Sequence, residues 1–503
     1  MASVVVVGAG MGGMAVAARL SAQGHTVTVV EQAERAGGKL QTYRRDGFAF
    51  DTGPSLLTLP AVYRDLFLKT PVRRKGASLE ENVDLRGLDP AFGYRWADGA
   101  TAVLPGSNSP RVAAALGAAL GGSAERDWQR FSRRSADLWA ATRVPFLESP
   151  LSGPRDLLPH LRKWSDLRTV APWKTLRGLG NEYFDDPRLV TLLDRYATYT
   201  GSDPRKAPAA LAVIPFVEQT FGAWHIGGGI GELADALYQR CLDRGIAFRF
   251  GADVTAVRTE GGRASGVTLA GGEPIAADVV VSDADATSLY QHLVSEPAGR
   301  APLKKLRKAT PSLAGFVMLL ALRGRTPNLQ HHNVLFPADY DAEFDAIFGR
   351  APHPVDDPTV YVCAPDDPLM RPDGHEAWFV LVNAPRHDPP HGVDWTDPAV
   401  VEGYRERVLD VLASRGYDVR PRLLWTETRT PADLEHTTRS PGGSIYGTSS
   451  NGTRAAFLRA ANRSPIPGLF LVGGSAHPGG GLPLVGMSAA IVADLIGPAE
   501  GRP

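Results

Sequence analysis

Cysteine is scarce in this chain, with 2 residues among 503. Cys241 and Cys363 lie far apart in the sequence and form no ligand motif. This usage is typical of a reducing compartment and argues against a disulfide framework. The cysteines therefore predict a fold that is stabilised by its own apolar core.

Two common catalytic signatures are also missing. The chain has neither an HExxH zinc motif nor a cysteine cluster, so we expect no metal. The segment 473–477 resembles a GxSxG nucleophile turn but lacks its closing glycine. His331, His332, His387 and His391 stand in loop-like or proline-rich context, where structural roles are commoner. A bound cofactor would then have to carry the difficult chemistry.

Neither charge nor hydrophobic length marks the chain for nucleic acid or for a membrane span. Lys and Arg total 54, and so do Asp and Glu, so no global basic field exists for nucleic acid. No run approaches the roughly 18 apolar residues of a transmembrane helix. The N-terminus has no basic segment before its apolar run, which predicts a strand rather than a signal peptide. We expect a cytoplasmic protein.

The most informative feature that is present is a βαβ pattern at the N-terminus. Four valines, residues 4–7, lead into a glycine turn, an alanine-rich helix, a second apolar strand at 26–30 and then Glu31. The glycines have the GxGxxG spacing of a dinucleotide-binding fold, in which a helix N-terminus receives a pyrophosphate and an acid binds ribose. The spacing falls on Gly8, Gly10 and Gly13.

The residues after Glu31 favour FAD over NAD. A second glycine pair, Gly37-Gly38, is followed by Lys39, and an aromatic strand at 48–50 leads into Asp51-Thr52-Gly53-Pro54-Ser55. Repeated close approach of the backbone fits a long cofactor that lies extended along the chain. The small residues of the second motif suit a planar ring.

These motifs together resemble the amine-oxidase-like flavoproteins, and within them the bacterial carotenoid (phytoene-type) desaturases. The C-terminal stretch 468–490 resembles their closing FAD motif, and segments 224–233, 251–257 and 277–285 resemble their middle motifs. Residues 195–204 are similar to the hydroxycarotenoid 3,4-desaturase branch. Lys39 replaces the commoner Arg and keeps the charge without the bidentate geometry. Ser475 stands where many flavoproteins carry an acid.

The resemblance implies FAD as cofactor and assigns candidate residues to it. They come from the glycine turn, the ribose acid, the second glycine pair, the small-residue motif, the middle strand and the C-terminal motif. These candidates are Gly8, Gly10, Met11, Gly12, Gly13, Glu31, Gln32, Gly38, Lys39, Gly53, Pro54, Ser55, Val254, Gly473, Gly474, Leu484, Gly486 and Met487.

The same motifs imply an α/β fold with a Rossmann-type FAD-binding domain that is discontinuous in sequence. We expect residues 1–70, 215–290 and 455–503 to form it. Residues 71–214 and 291–454 would form an α+β substrate-binding and membrane-associating domain, built on a mixed sheet and helices. Strands are predicted at 316–322, 360–364 and 378–383, and helices at 112–120 and 128–141.

Candidate residues beyond the cofactor are fewer. Asp156 is a candidate base by resemblance, although an acid at a helix N-terminus also serves the helix dipole. Tyr196 and Tyr199 either line a substrate tunnel or are core aromatics with satisfied hydroxyls. Residues 145–190 interleave leucines and tryptophans with Arg and Lys, which fits either a membrane-interfacial surface or amphipathic core helices.

The predicted function is desaturation of an acyclic carotenoid or related isoprenoid polyene, with hydride transfer from an allylic carbon to flavin N5. Quinone or dioxygen would be the electron acceptor, and the enzyme would contact the inner face of the membrane peripherally. Three alternatives stay open: flavin-dependent isomerisation or saturation of a polyene, oxidation of an amine, and a non-catalytic FAD-fold scaffold.

Overall fold

The fold is described from a computed structural model that covers residues 1–72, 76, 78–151, 153, 156, 168–452 and 455–499. Its strands are β1 (Ser3–Val7), β2 (Thr26–Val30), β3 (Thr42–Arg45), β4 (Phe48–Asp51), β5 (Leu57–Thr58), β6 (Leu85–Gly87), β7 (Phe92–Arg95), β8 (Thr101–Leu104), β9 (Ala223–Ile226), β10 (Ala247–Arg249), β11 (Val254–Glu260), β12 (Arg263–Leu269), β13 (Pro274–Ala276), β14 (Val279–Ser282), β15 (Ala314–Arg323), β16 (His332–Leu335), β17 (Val360–Cys363), β18 (His375–Ala384), β19 (Leu423–Arg429) and β20 (Leu469–Leu471).

The α-helices connect and cover these strands. They span Met11–Ala22, Ala61–Lys69, Ser109–Leu120, Ala124–Thr142, Leu176–Tyr183, Pro187–Thr198, Val213–Phe221, Gly231–Asp243, Ala286–Ser288, Arg300–Leu306, Tyr340–Phe348, Pro398–Ser414, Pro431–Thr438, Ala455–Leu458 and Leu482–Ile496. Short π-helical turns occur at Arg143–Glu148 and Leu289–Leu293, and 3-10 turns at Ala209–Ala212, Pro297–Gly299, Arg420–Arg422 and Pro441–Gly443.

A five-stranded parallel sheet carries the N-terminal βαβ unit. Its order is β10-β2-β1-β14-β20, so its strands come from the start, the middle and the end of the chain. Ligands of such sheets bind outside the carboxyl ends of the strands. The helices Met11–Ala22 and Leu482–Ile496 pack together over one face, with Met14, Val16, Ala489 and Val492 in the shared core.

A seven-stranded mixed sheet forms the second layer, in the order β19-β15-β18-β17-β16-β7-β8. β15 is buried along nine of its ten residues, which explains its long apolar run. Helix Pro398–Ser414 packs against the β15–β18 region through Tyr404, Val408 and Leu412. The β7–β16 end packs against helices 176–183 and 187–198. The predicted α/β fold with a mixed sheet and helices is confirmed.

The strands and helices predicted from the sequence fall close to observed elements. The strand predicted at 316–322 lies inside β15, and those at 360–364 and 378–383 overlap β17 and β18. The predicted helices lie within Ser109–Leu120 and Ala124–Thr142. Both cysteines are free and buried. Among the described residues, no helix is both long enough and apolar enough to cross a membrane. The domain boundaries stay a prediction.

Candidate functional site

The glycine turn follows β1 and opens helix Met11–Ala22. Gly8 has φ +101°, a conformation that side chains other than glycine rarely adopt. A Cβ on Gly13 would lie 2.0 Å from the Gly8 carbonyl oxygen, so only glycine lets the helix approach the strand this closely. Met14 N–H donates to the Gly10 carbonyl oxygen at 3.0 Å, and the earlier amides of the helix face the turn.

Two further glycine segments close around this turn. A Cβ on Gly38 would lie 3.1 Å from the Gly10 Cα, and a Cβ on Gly12 would lie 2.9 Å from the Gly473 Cα. Gly37 N–H donates to the Ala9 carbonyl oxygen at 2.9 Å. The structure therefore brings together the first, second and C-terminal glycine motifs, although the C-terminal motif is more than 400 residues from the other two in sequence.

An acidic side chain lies inside the cradle that these glycines form. The Gly13 N–H donates to Asp283 Oδ2 at 2.9 Å. A Cβ on Gly10 or Gly12 would come within 2.5 Å of the Asp283 carboxylate oxygens, so these glycines leave the space that the carboxylate fills. The carboxylate stands where a phosphate oxygen of a dinucleotide would accept the helix amides. The cradle thus fits an anionic group of phosphate type.

The confined place of Asp283 disfavours the charged form of its carboxyl group. Burial raises the pKa of its carboxyl to about 7, despite the Gly13 hydrogen bond, and the nearby Glu31 carboxylate adds to the rise. Lys39 opposes it. Asp283 falls in segment 277–285, which resembles a middle motif of the family, but no motif assigns this residue to the cofactor site.

Glu31 lies at the carboxyl end of β2. Its carboxylate accepts the Ala9 N–H at 2.7 Å and the Ala33 N–H at 2.8 Å, so the acid is fixed beside the glycine turn. Gln32 donates to the Thr437 carbonyl oxygen at 3.1 Å. The Ala252 N–H donates to the Glu31 carbonyl oxygen, which brings the start of β11, with the buried Val254, to the same edge.

Lys39 donates from Nζ to the Ile445 carbonyl oxygen at 3.0 Å. Burial lowers the pKa of its ammonium, while Asp285 and Asp283 oppose this shift. Arg459 is also buried and donates to the carbonyl oxygens of Tyr446, Gly474 and Thr448. Two cationic side chains therefore flank the acidic pair next to the cradle.

The small-residue motif lies beside Lys39. A Cβ on Gly53 would come within 2.0 Å of the Lys39 carbonyl oxygen, so this loop and the second glycine pair pack backbone against backbone. Pro54 follows, and Ser55 Oγ lies 2.7 Å from the Tyr361 hydroxyl of β17. Ser55 thus connects the motif to the seven-stranded sheet.

Asp51 fixes the start of the same motif. Its carboxylate accepts the Ile230 N–H at 3.0 Å and the Gly231 N–H at 3.4 Å, at the beginning of helix Gly231–Asp243. Burial raises the pKa of Asp51 to about 6 in spite of these hydrogen bonds. The carboxylate is therefore a structural link between the small-residue motif and the 224–233 glycine turn.

The C-terminal motif completes the ring of glycines. Gly473 has φ +96° and precedes Gly474, whose Cβ would lie 3.5 Å from the Gly480 Cα. Leu484, Gly486 and Met487 fall in the first two turns of helix Leu482–Ile496, where a Cβ on Gly486 would clash with Val62.

The candidate tyrosines share one acceptor. The Tyr196 hydroxyl donates to Glu218 Oε1 at 2.6 Å, and the Tyr199 hydroxyl donates to Oε2 at 3.1 Å. Burial raises the pKa of Glu218. The hydroxyls are thus satisfied, as one of the two sequence readings expected. No sequence motif points to Glu218, which is buried on helix Val213–Phe221.

Asp156 lies apart from this network. Its side chain is exposed and accepts the Gly153 N–H at 3.0 Å. The segment proposed to be membrane-interfacial is described only in part, because residues 154–155 and 157–167 lie outside the described residues. Of the rest, Leu176 and Leu179 are core residues, whereas Trp173 is 63% exposed.

A histidine and cysteine group lies beside Tyr361. His331, His332 and Cys363 offer ligand atoms within 4.8 Å of one another. The His332 Nδ1 already lies 2.7 Å from the Tyr361 hydroxyl, and burial raises the pKa of the Cys363 thiol far above its ordinary value. A neutral thiol is a poor metal ligand, so we assign no metal to this group.

Comparison with known proteins places this geometry in a family. The family described as "Flavin containing amine oxidoreductase" matches residues 11–496. The chain is 32% identical over 500 residues to the 4,4'-diapolycopene oxygenase of Methylomonas sp, covering 98% of this chain and 97% of that protein. It is 31% identical over 507 residues to the 1-hydroxycarotenoid 3,4-desaturase of a Flavobacterium species, covering 99% of both.

A solved structure agrees on the fold. The crystal structure of an oxidoreductase from Methanosarcina mazei superposes with a TM-score of 0.65 at 18% identity, over 98% of this chain and 100% of that chain. Likeness at this identity concerns the fold alone, whereas the family match extends to the cofactor. The chain belongs to the flavin-containing amine oxidoreductase family, and it is an FAD-dependent oxidoreductase.

Proposed function

We propose that the protein is an FAD-dependent desaturase that introduces C=C bonds into an acyclic carotenoid or related isoprenoid polyene. It would act in the cytoplasm, in peripheral contact with the inner face of the membrane. Quinone or dioxygen would take the electrons. Both relatives named above carry polyene substrates in their names and match nearly the whole chain, which supports this substrate class over an amine.

One structural observation carries the proposal: a row of stacked, buried aromatic side chains runs along the β7–β16 end of the seven-stranded sheet to Tyr361, beside the small-residue motif. Phe92 stacks on His332 with ring centroids 5.1 Å apart, and Tyr94 stacks on Phe336 at 6.1 Å. His332 in turn stacks on Tyr361, which reaches Ser55. Stacked aromatic rings suit a conjugated hydrocarbon chain.

We propose that the candidate glycines, Glu31 and Lys39 hold the FAD. The amides around Gly13 would bind its phosphates, Glu31 its ribose hydroxyls, and Gly53 to Ser55 would approach its ring. Bound FAD supplies the hydride acceptor for the reaction. The protein would align the C–C bond beside the ring and exclude water through the row of aromatic side chains.

A proton must leave the carbon next to the one that loses hydride. Asp156 remains our proposal for its acceptor. The carboxylate is exposed and bonded to Gly153 N–H in the structure, so it would have to turn toward the substrate when the polyene binds. Asp156→Asn should then lower the rate of desaturation without releasing FAD.

The membrane contact rests on exposed apolar side chains near basic ones. Trp173 is 63% exposed beside Lys174, and Val144 is 49% exposed beside Arg143. An exposed tryptophan flanked by lysine suits the headgroup region of a bilayer, where an apolar polyene would be drawn from the acyl chains.

Product mass tests the proposed function. Purified protein with FAD is incubated with an acyclic polyene in liposomes, with a quinone or dioxygen supplied. Desaturation predicts loss of two hydrogens per new double bond and an absorption maximum at longer wavelength. A product of unchanged mass would indicate isomerisation. A product that has gained hydrogen would indicate saturation, and one that has gained oxygen would indicate oxygenation. Amine turnover with peroxide release, and none with polyenes, would establish an amine oxidase.

A further inference from the structure

A buried cation lies in the space beside the small-residue motif. Arg195, near the end of helix Pro187–Thr198, is only 7% exposed. Among the described residues its guanidinium has no carboxylate within 4.0 Å, and its Nη1 has no hydrogen-bond partner. Arginine is rarely buried without a partner, because desolvation of the charge costs several kcal/mol unless hydrogen bonds compensate it.

The surroundings of Arg195 lower this cost and leave its Nη1 without a hydrogen-bond partner among the described residues. Its guanidinium lies over the ring of Tyr199 at 5.0 Å and over the ring of Tyr361 at 5.5 Å. Glu218 is the nearby charge, but its two oxygens are occupied by the hydroxyls of Tyr196 and Tyr199. The stacked rings and the nearby anion keep the arginine charged, while the Nη1 of its guanidinium stays without a hydrogen-bond partner among the described residues.

The Arg195 guanidinium is connected to the small-residue motif through the Tyr361 side chain. The Tyr361 ring under Arg195 carries the hydroxyl that lies 2.7 Å from both Ser55 Oγ and His332 Nδ1. His332 Nε2 is a second buried polar atom without a partner among the described residues. Burial keeps this imidazole neutral by lowering its pKa. When Nδ1 carries the ring proton, Nε2 is an acceptor.

We propose that Arg195 binds the hydroxyl oxygen of a hydroxylated acyclic polyene and that this contact selects the substrate. Arg195 would donate from Nη1 to the alcohol oxygen, and His332 Nε2 would accept the alcohol proton. This inference rests on the proposed function. It adds a substrate class, a polyene with an alcohol near one end, and names the residue that recognises it.

The position of Arg195 fits the distance between the hydroxyl oxygen of such a substrate and the C–C bond that is desaturated. In a 1-hydroxycarotenoid that is desaturated at C3–C4, as the Flavobacterium relative is named for, the hydroxyl carbon is two bonds from the reacting bond. A residue that binds the oxygen must then lie close to the flavin ring. Arg195 meets this requirement, because its guanidinium lies over the Tyr361 ring and the Tyr361 hydroxyl lies 2.7 Å from Ser55 Oγ.

The test compares two polyenes of equal length, one with the hydroxyl and one without it, on holoenzyme in liposomes. The wild-type protein should have the higher kcat/KM for the hydroxylated polyene. Arg195→Met should reduce that preference by about 10- to 100-fold, the range for one hydrogen bond to a charged donor. Arg188→Met on the same helix removes an arginine that is already paired with Asp186, and should keep the preference.

Binding gives a second readout. Titration of each polyene, followed through the flavin absorption band, should show the preference in Kd and its loss in Arg195→Met. If that variant does not retain FAD, the double variant R195M/E218Q removes the buried anion together with the cation, with E218Q alone as its control. A preference for the hydroxylated polyene that is unchanged in R195M, or in the double variant, would overturn the inference.

Failure of the proposed function and failure of the Arg195 role give different results in this experiment. If the wild-type protein dehydrogenates neither polyene, the proposed function is wrong and the role of Arg195 falls with it. If the wild-type protein desaturates both polyenes with equal kcat/KM, only the role of Arg195 is wrong.

Discussion

Replacing Asp283 by asparagine should change how FAD binding depends on pH. In the structure the Asp283 carboxylate lies against the Gly13 amide, in the place where a phosphate oxygen would bind. A charged carboxylate there opposes the doubly charged diphosphate, whereas a neutral one can yield its place without an electrostatic penalty. FAD should therefore bind best to the protonated form.

The expected size follows from the pKa of Asp283, which burial raises from 3.8 to about 7. Above pH 7 the protonated fraction falls tenfold per pH unit. Between pH 7, where the group is half protonated, and pH 9 the affinity for FAD should thus fall by about 50-fold, or about 2.3 kcal/mol. Below pH 6 it should be nearly constant.

The same shift has a definite sign for the apoprotein. The folded state holds this proton more tightly than the unfolded chain, so between pH 4 and pH 7 it binds more protons. The contribution of Asp283 to stability is therefore fully present below pH 4 and is lost as the pH rises through about 7. Asp283→Asn should remove this loss.

The assay is fluorescence titration of apoprotein with FAD from pH 6 to pH 9. Asp283→Asn should bind FAD with a Kd independent of pH, and about 100-fold more tightly than wild type at pH 9. Asp137→Asn, an exposed aspartate on helix Ala124–Thr142, is the control and should keep the wild-type profile. A wild-type Kd that stays flat to pH 9, or an unchanged slope in Asp283→Asn, would refute the reasoning.

Three further predictions concern the turn, the buried network and the surface. Gly13→Ala should abolish FAD retention, measured by flavin absorbance, because the new Cβ would meet the Gly8 carbonyl oxygen. The same substitution should lower the free energy of unfolding, measured by denaturation, by about 1–3 kcal/mol. Tyr196→Phe should cost about 1–3 kcal/mol in urea unfolding, because buried Glu218 loses a charged hydrogen bond. Trp173→Ser should reduce sedimentation with anionic liposomes several-fold.

Matched variants control each of these. Gly403→Ala lies in a helix with open space around it and should be neutral or slightly stabilising. Tyr199→Phe loses a longer, partly buried bond and should cost less than Tyr196→Phe. Leu369→Ser removes an equally exposed apolar side chain, at 64%, and should leave liposome binding unchanged. Equal effects within any pair would contradict the corresponding prediction.

The sequence predicts best those parts of the protein whose structure depends on interactions within one contiguous segment. The valine run, the glycine spacing and Glu31 form a contiguous unit, and its physics is local: strand propensity, φ above zero, and close helix approach. β15 was readable as well, because ten consecutive residues are mostly apolar.

The remaining site residues depend on pairings that no motif encodes. Asp283 reaches Gly13 only because β14 pairs in parallel with β1, 270 residues away in sequence. Arg195 and Glu218 are ordinary helix residues in the sequence, and only the packing of their helices in the fold buries both side chains. Their roles follow from tertiary burial, which composition and spacing do not specify.

The central claim is that the polyene itself reduces the bound flavin as a double bond forms. Anaerobic mixing of oxidised holoenzyme with a hydroxylated acyclic polyene, in one turnover, tests it most directly. The account predicts that the flavin absorption band bleaches while the polyene band moves to longer wavelength, one flavin per double bond. A flavin that stays oxidised while the polyene changes, or a polyene that reacts only with pre-reduced enzyme, would contradict the account.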